Sequence, residues 1–403
     1  MTPRTIPADH NDTVRRRITA QRRETDVEGR AKQVVIVGGG ISGMTLAVAL
    51  RRQGVAAHVV EKARPEDQLG TGINLQNNAL RALKQVGLLD DCLAAGFPWN
   101  SVVTRDHKGH VLDERTLPWT LEPGIPGALG IMRTTFAKIL ADHAEREGVD
   151  ISYGTTVDKV DQHADGVDVQ LSSGESLRAD VLVAADGVYS PLRNLVFGTE
   201  HRPFYAGQGV WRYTVPRPET LDGFTMFRGP TGGAVGCLPL APDTAYFFLL
   251  ESSVSPIRFE EAELASALAE RLAPFEAPEL RDAVAKIDEG RHISFRRFDI
   301  LLMPQPWHRG RVVLLGDAAH SVTPQLTSGG GMAIEGAAVL AEELGRHEAV
   351  AALSAYGKRR AERVRTIYDN SLRICELEKD PTSDGSESVK LFVESFKLLD
   401  GPY

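Results

Sequence analysis

The chain has 403 residues, 42% hydrophobic and 25% charged, with a formal net charge of −8. That composition is ordinary for a folded globular protein with room for two sizeable cores, and the acidic balance argues against a nucleic-acid or anionic-membrane partner. Its three cysteines, Cys92, Cys237 and Cys375, offer neither metal spacing nor a disulfide framework, and no apolar run nears the ~18 residues of a membrane span. A cytoplasmic protein without a metal site is expected.

Residues 1–32 are polar, with Arg15-Arg16-Arg17 and Arg22-Arg23 offset by acids, and read as an extension. Val34-Val35-Ile36-Val37 is a β-branched run of the kind buried on both faces of a sheet. A glycine-rich turn and a helical pattern follow, stopped by Gly54, and Ala57–Val60 is the next strand, so the fold opens with a βαβ unit. In LGTGINLQNNALRALKQVGLLDD, Asn78 reads as an N-cap and Gly87 as a stop. A second helix lies near 131–145, with Thr134 or Thr135 as its cap. Strands flank a turn at Ser173-Gly174 and lead into VLVAADG.

From about residue 206 the pattern changes. VWRYTV, FTMFR, AVGCLPL and AYFFLLE have the spacing of an antiparallel sheet. Helical stretches near 259–272 and 279–287 precede strand-like residues 292–298. Gly329–Gly331 lead into a helix over Met332–Leu344. A long helix follows 346, and its cations Lys358, Arg359, Arg360, Arg363 and Arg365 read as a solvated face. The expected fold is α/β: a Rossmann-like domain from residues 33–100, 130–205 and 292–345, an inserted, mostly antiparallel substrate domain from 101–129 and 206–291, and a helical region over 346–403.

Three segments carry chemistry. Gly38-Gly39-Gly40-Ile41-Ser42-Gly43 follows a strand and opens a helix, with Glu61 ending the next strand. Gly38 permits the tight turn, Gly40 lets backbone approach a pyrophosphate, and Gly43 brings helix and strand together. The helix start offers N–H groups to phosphate, and Glu61 can accept from a ribose diol. ADGVYSPLR places Asp186 at a strand end with Ser190 and Arg193 behind it. GDAAHSVTPQLTSGGGMAIEG places Asp317 after a buried strand, where an open α/β sheet binds its ligand. Its glycines let a flat ring approach a helix N-terminus. His320 in this stretch reads as a hydrogen-bonded structural histidine, with proton transfer as the alternative.

Together these segments resemble the single-component FAD-dependent aromatic hydroxylases, the para-hydroxybenzoate hydroxylase-like flavoprotein monooxygenases, from about residue 33 to about 375. The resemblance implies FAD held by Gly38, Gly40, Ser42, Gly43, Glu61, Lys62, Gly72, Arg133, Asp186, Asp317, Pro324, Gly329 and Gly330. It implies NADH or NADPH as co-substrate and O2 as oxidant, with oxygen transfer to an aromatic or heteroaromatic small molecule through a flavin C4a-hydroperoxide. Many members have Gly-Gln-Gly after the proline, where this chain has Thr327-Ser328 and then glycines. Many carry an acid-Asp pair where Glu335 is followed here by Gly336.

The inserted sheet would roof the flavin. In GVWRYTVP alternation puts Trp211, Tyr213 and Val215 on one face, Arg212 and Thr214 on the other. Either Tyr213 bonds a substrate hydroxyl or Arg212 pairs a carboxylate; with Pro324 beside the flavin, these are the candidate catalytic residues. Met226, Phe227 and Phe247 read as core. Alternatives are a related epoxidase or monooxygenase of a polycyclic or alkene substrate, a halogenase faintly echoed by WRYTVP, and a non-enzymatic escort protein of the same fold. The oligomer is open between monomer and homodimer.

Overall fold

The computed structural model describes residues 29–64, 70–117, 122, 124–230, 233–287 and 293–403; nearly all of the expected 1–32 extension lies outside them. The β-branched opening run becomes strand Gln33–Val37 at the heart of a six-stranded sheet. The strand order is His308–Arg309, Val312–Leu314, Val181–Ala184, Gln33–Val37, Ala56–Glu61 and Asp150–Tyr153, parallel except at the His308–Arg309 edge. Its central strands are buried on both faces, which is why they read as continuous apolar runs. The fingerprint helix Ile41–Arg52 and the glycine helix Gly329–Arg346 pack on each other over this sheet.

The second large sheet has eight strands in the order His320–Ser321, Ile293–Leu302, Phe204–Pro216, Thr244–Ser252, Ala234–Ala241, Phe224–Arg228, Ser101–Arg105 and Val111–Thr116. Only the pairing of Phe224–Arg228 with Ser101–Arg105 is parallel. Strand Ile293–Leu302 pairs with Phe204–Pro216 and so belongs to this sheet, not to the FAD-binding half where sequence reading grouped it. One face packs on helices Leu264–Leu272 and Pro278–Ala285 through Trp211, Tyr213, Phe227 and Phe247. The other face looks toward the fingerprint and glycine helices. A small sheet of Phe97–Trp99, Ala128–Met132 and Gly72–Gln76 bridges the halves.

Several local expectations shift. Helix Asn77–Gln85 begins one residue before the expected cap, with Gln76 at the N-cap position; Asn78 lies inside it, buried and donating to Glu335 at 3.1 Å. Helix Arg133–Arg146 starts at Arg133, so neither Thr134 nor Thr135 caps it. The glycine helix starts at Gly329 rather than Met332. The cation run on helix Ala349–Lys379 is only partly a solvated face. Lys358 and Arg365 are exposed, but Arg360 and Arg363 are buried and pair with Glu335 at 2.8 and 2.7 Å. They fall on the same helical face as Tyr356, Val364 and Ile367, which the core requires.

Candidate active site

Between the two large sheets lies a cleft of about 1530 Å³. Ordinary small-molecule pockets are roughly 300–1,000 Å³, so this one has room for a dinucleotide and a substrate together. Gly40, Ser42, Gly72, Arg133, Arg212, Asp317, Pro324, Gly329 and Gly330 line it. Gly38, Gly43, Glu61, Lys62, Asp186 and Tyr213 do not, and all of these but Lys62 have a local role in the fold.

Gly38 has φ 110 and abuts Ala185 O, which closes the turn against the Asp-Gly segment. A Cβ on Gly43 would lie 2.0 Å from Gly38 O, so only glycine lets the helix start there. Glu61 turns its carboxylate back on the loop, accepting from Gly39 N at 2.6 Å and Ala63 N at 2.7 Å. Asp186 accepts from Ser190 Oγ and from Leu192 N, and burial raises its pKa while Ser190 and Leu192 oppose that. Arg193, also buried, donates to Val188 O at 2.9 Å and Ala318 O at 3.1 Å. The Asp-Gly segment is thereby tied to the Gly-Asp segment, which explains the fixed offsets of Ser190 and Arg193.

Two helix starts open on the cleft. The fingerprint helix has Gly40 at its N-cap position, and the glycine helix has Ser328 there. Neither has a side-chain cap or an acid in its first turn. Their free N–H groups and positive dipole ends suit the phosphates of FAD and the charged edge of its ring. A Cβ on Gly40 would meet nothing within 4 Å, so its missing side chain serves no protein contact and leaves the approach to the loop open. Gly330 and Gly331 also sit close to neighbouring side chains: a Cβ would lie 2.8 Å from Ile73 Cδ1 at the first and 3.0 Å from Asn78 Nδ2 at the second, so those side chains would have to shift. Asp317 turns its carboxylate into the cleft. Surrounding protein raises its pKa, and the Arg133 charge pulls it the other way. Hydrogen-bond acceptors and donors thus line one cleft.

The roof is built from alternate residues of the eight-stranded sheet. Val210 and Arg212, with Tyr246, Phe248 and Leu250 opposite, face the cleft, and Phe224, Met226, Ser294 and Arg296 extend that face. Tyr213 points the other way, and its hydroxyl donates to Lys286 O at 2.9 Å, so it is not a substrate contact. Met226, expected in the core, lines the cleft, whereas Phe227 and Phe247 are core. Arg212 makes no hydrogen bond or ion pair with another described residue. Burial lowers its pKa to about 10, with Arg133 and Arg296 adding to the fall and Tyr246 opposing it. Sequence reading missed Arg296, Tyr246 and Phe248. Strand alternation carried through the register would have found them.

His320 is buried and packs against Trp307, with ring centroids 5.3 Å apart and the planes tilted by 42°, but neither ring nitrogen has a hydrogen-bond partner among the described residues. Its ring is held by packing rather than by a hydrogen bond to another described residue. Thr327, which stands where many relatives carry glycine, has φ 47, a conformation rare for a β-branched residue. Gln76 reaches across to donate to its hydroxyl and to Leu326 O. Among the described residues no helix is long and apolar enough to cross a membrane, and no cluster of metal-ligating side chains occurs.

The profile of the FAD binding domain family matches residues 31–371. YetM of Bacillus subtilis, assigned as an FAD-dependent monooxygenase, is 35% identical over 85% of this chain and 93% of its own. The FAD-dependent urate hydroxylase of Klebsiella pneumoniae is 29% identical over 86% of this chain and 90% of its own. The crystal structure of Klebsiella pneumoniae HpxO with FAD and uric acid superposes with a TM-score of 0.81 at 27% identity, covering 92% of this chain and 97% of that one. These relatives are enzymes, which removes the escort-protein alternative. The cleft between the sheets, its two uncapped helix starts and this likeness agree: the chain is an FAD-dependent monooxygenase of the para-hydroxybenzoate hydroxylase-like flavoprotein family.

Proposed function

We propose that this monooxygenase hydroxylates a planar aromatic or heteroaromatic small molecule bearing an anionic group, with NAD(P)H as reductant and O2 as oxygen source. The observation that carries the substrate class is Arg212, a largely enclosed cation without a partner among the described residues, on a wall it shares with the apolar Val210, Phe224, Met226 and Phe248. A buried charge is costly unless paired, so a ligand anion is its natural complement. Arg296, opposite Val210 on the neighbouring strand, adds a second positive charge to the same face.

Bound FAD would supply redox chemistry: two electrons from NAD(P)H, then one oxygen atom to the ring and the other lost as water. The chain's own residues would do the rest. Asp317 would accept from the ribityl hydroxyls, and the start of the glycine helix would offer N–H groups to the ring's charged edge. Pro324 and the aromatic roof hold the substrate ring and exclude water. Three buried, unpaired thiols, Cys92, Cys237 and Cys375, support a cytoplasmic setting.

The test is rapid-mixing flavin reduction by NADH and by NADPH against panels of aromatic acids, phenols and nitrogen heterocycles. An anionic ring compound should accelerate reduction and yield a product with one more oxygen atom on a ring carbon. No acceleration by any anionic aromatic, or oxygen placed across an isolated alkene, would reject the proposal.

A further inference from the structure

The helix Ser386–Asp400 is a wall of the cleft, presenting Phe392, Phe396, Leu399 and Asp400 to it. Nothing in the cofactor or substrate roles above accounts for how this wall is held. The last carbonyls of a helix lack intrahelical partners; here two arginines from elsewhere take carbonyls of its last turn, and they and a third also bond carbonyls just beyond it. Arg363 donates to Leu398 O and, at 2.8 Å, to Leu399 O, with longer contacts to Gly401 O and Pro402 O. Arg81 donates to Leu399 O at 2.7 Å and Gly401 O at 3.0 Å. Arg359 donates to Tyr403 O at 2.6 Å. Cations at this end also complement the helix dipole.

Arg363 reaches both ways. Its other donors bond Glu335 at 2.7 and 3.1 Å. Glu335 sits one turn beyond Gly331 on the helix whose start faces the flavin site. The connection closes on the far side: Asp400 accepts from Asn77 Nδ2 at 3.3 Å, and Asn77 follows Gln76, which holds Thr327 just before the glycine start. A chain of contacts therefore joins the wall to the flavin-facing helix at two points, Glu335 within it and Thr327 just before its start.

We propose that Ser386–Tyr403 is a latched wall of the reaction cleft and that Arg363 is its positioning residue, seating the wall and the flavin-facing helix through one guanidinium. Phe392 and Phe396, stacked with centroids 6.2 Å apart, are the surfaces this latch presents to the ligand and shields from water. The chemistry above needs such a seal. The inference rests on the monooxygenase assignment but not on the identity of the substrate.

The test uses full-length, FAD-loaded protein as parent, Arg363→Gln, Arg363→Lys and Phe396→Ala. Amide exchange across residues 386–400 and iodide quenching of flavin fluorescence need no substrate, so their failure is separable from failure of the substrate reading. The rate of peroxide release during NAD(P)H oxidation is the third measurement. Arg363→Gln should speed exchange of 386–400 by roughly 10-fold or more, with stronger quenching and more peroxide, and Arg363→Lys should lie between it and the parent. Phe396→Ala should strengthen quenching while leaving exchange unchanged, because it removes the wall's side chain and not its latch. Unchanged exchange in Arg363→Gln, or faster exchange without greater flavin exposure, overturns the latch. Should Arg363→Gln not fold, unchanged quenching in Phe396→Ala overturns the wall assignment, and stronger quenching there with intermediate exchange in Arg363→Lys supports it.

Discussion

Gly40 and Gly43 share one fingerprint but answer to different constraints. A side chain at Gly43 collides with Gly38 O, whereas one at Gly40 meets no protein atom. Gly43→Ala should therefore cost folding stability, about 1–3 kcal/mol as an overpacked contact. Gly40→Val should leave the melting temperature of the FAD-free protein unchanged yet weaken FAD by at least about 100-fold, equivalent to ~2.8 kcal/mol. Flavin titration of the folded variant checks this; undiminished FAD affinity would show that the phosphates lie elsewhere. His320 offers a second test at this scale. Burial lowers its pKa to about 3, Arg360 adding to the effect and Glu335 opposing it. Its unfolded value is 6.5, so between the two the unfolded chain binds a proton that the folded chain excludes. The associated stability is complete above pH 6.5 and is lost as pH falls toward 3, with a slope of up to about 1.4 kcal/mol per pH unit. His320→Phe, which keeps the packing on Trp307, should remove that slope from urea unfolding measured across the window; an unaltered slope would mean the imidazole is not held neutral.

The elements show what local pattern reveals and what it hides. The opening βαβ unit, the Asp-Gly segment and the Gly-Asp segment were readable because each is a short stretch whose function is local: a turn, a helix start, a strand end. The Glu335 cluster was not. Its members come from the helices Asn77–Gln85, Gly329–Arg346 and Ala349–Lys379, and no single stretch contains the pairing. The available clue was phase, since Arg360 and Arg363 share a helical face with Tyr356, Val364 and Ile367. Burial pushes the Glu335 carboxyl up, but Arg360 and Arg363 outweigh that and hold it below its ordinary value. Its contribution is therefore present above the unfolded carboxyl pKa and is lost as pH falls through the folded one. Glu335→Gln leaves two buried guanidinium groups without a counter-charge and should cost about 3–5 kcal/mol. It should also abolish this acid-side loss. Denaturant unfolding at neutral and acidic pH measures both, and a cost under ~1 kcal/mol would mean that water reaches the cluster.

Across the whole molecule, net charge and site charge have opposite signs. The chain carries −8, yet Arg133, Arg212 and Arg296 line one cleft close enough for each of the others to lower the Arg212 pKa. Composition reported only the first fact, and its argument against anionic partners holds for surfaces, not for a cleft with low-dielectric walls that focuses field lines. Arg212 was readable by strand alternation, but its choice over Tyr213 needed the position of helices Leu264–Leu272 and Pro278–Ala285, which claim the Tyr213 face. The cleft's charge makes a prediction that a structural role for Arg212 does not. Arg212→Gln should raise KM for an anionic aromatic substrate roughly 30-fold or more, reflecting ~2 kcal/mol or more for a lost enclosed charge pair. It should leave a neutral isostere within about 3-fold, since only ~0.6 kcal/mol is then at stake. Because Arg212 has no partner to abandon among the described residues and faces two like charges, the melting temperature of the substrate-free protein should hold or rise. Added salt should raise KM for the anion in the parent and much less in the variant, because screening acts only where the charge pair exists. A fall in melting temperature, with anionic and neutral substrates affected alike, would return Arg212 to the scaffold and leave Arg296 as the cation that selects the substrate.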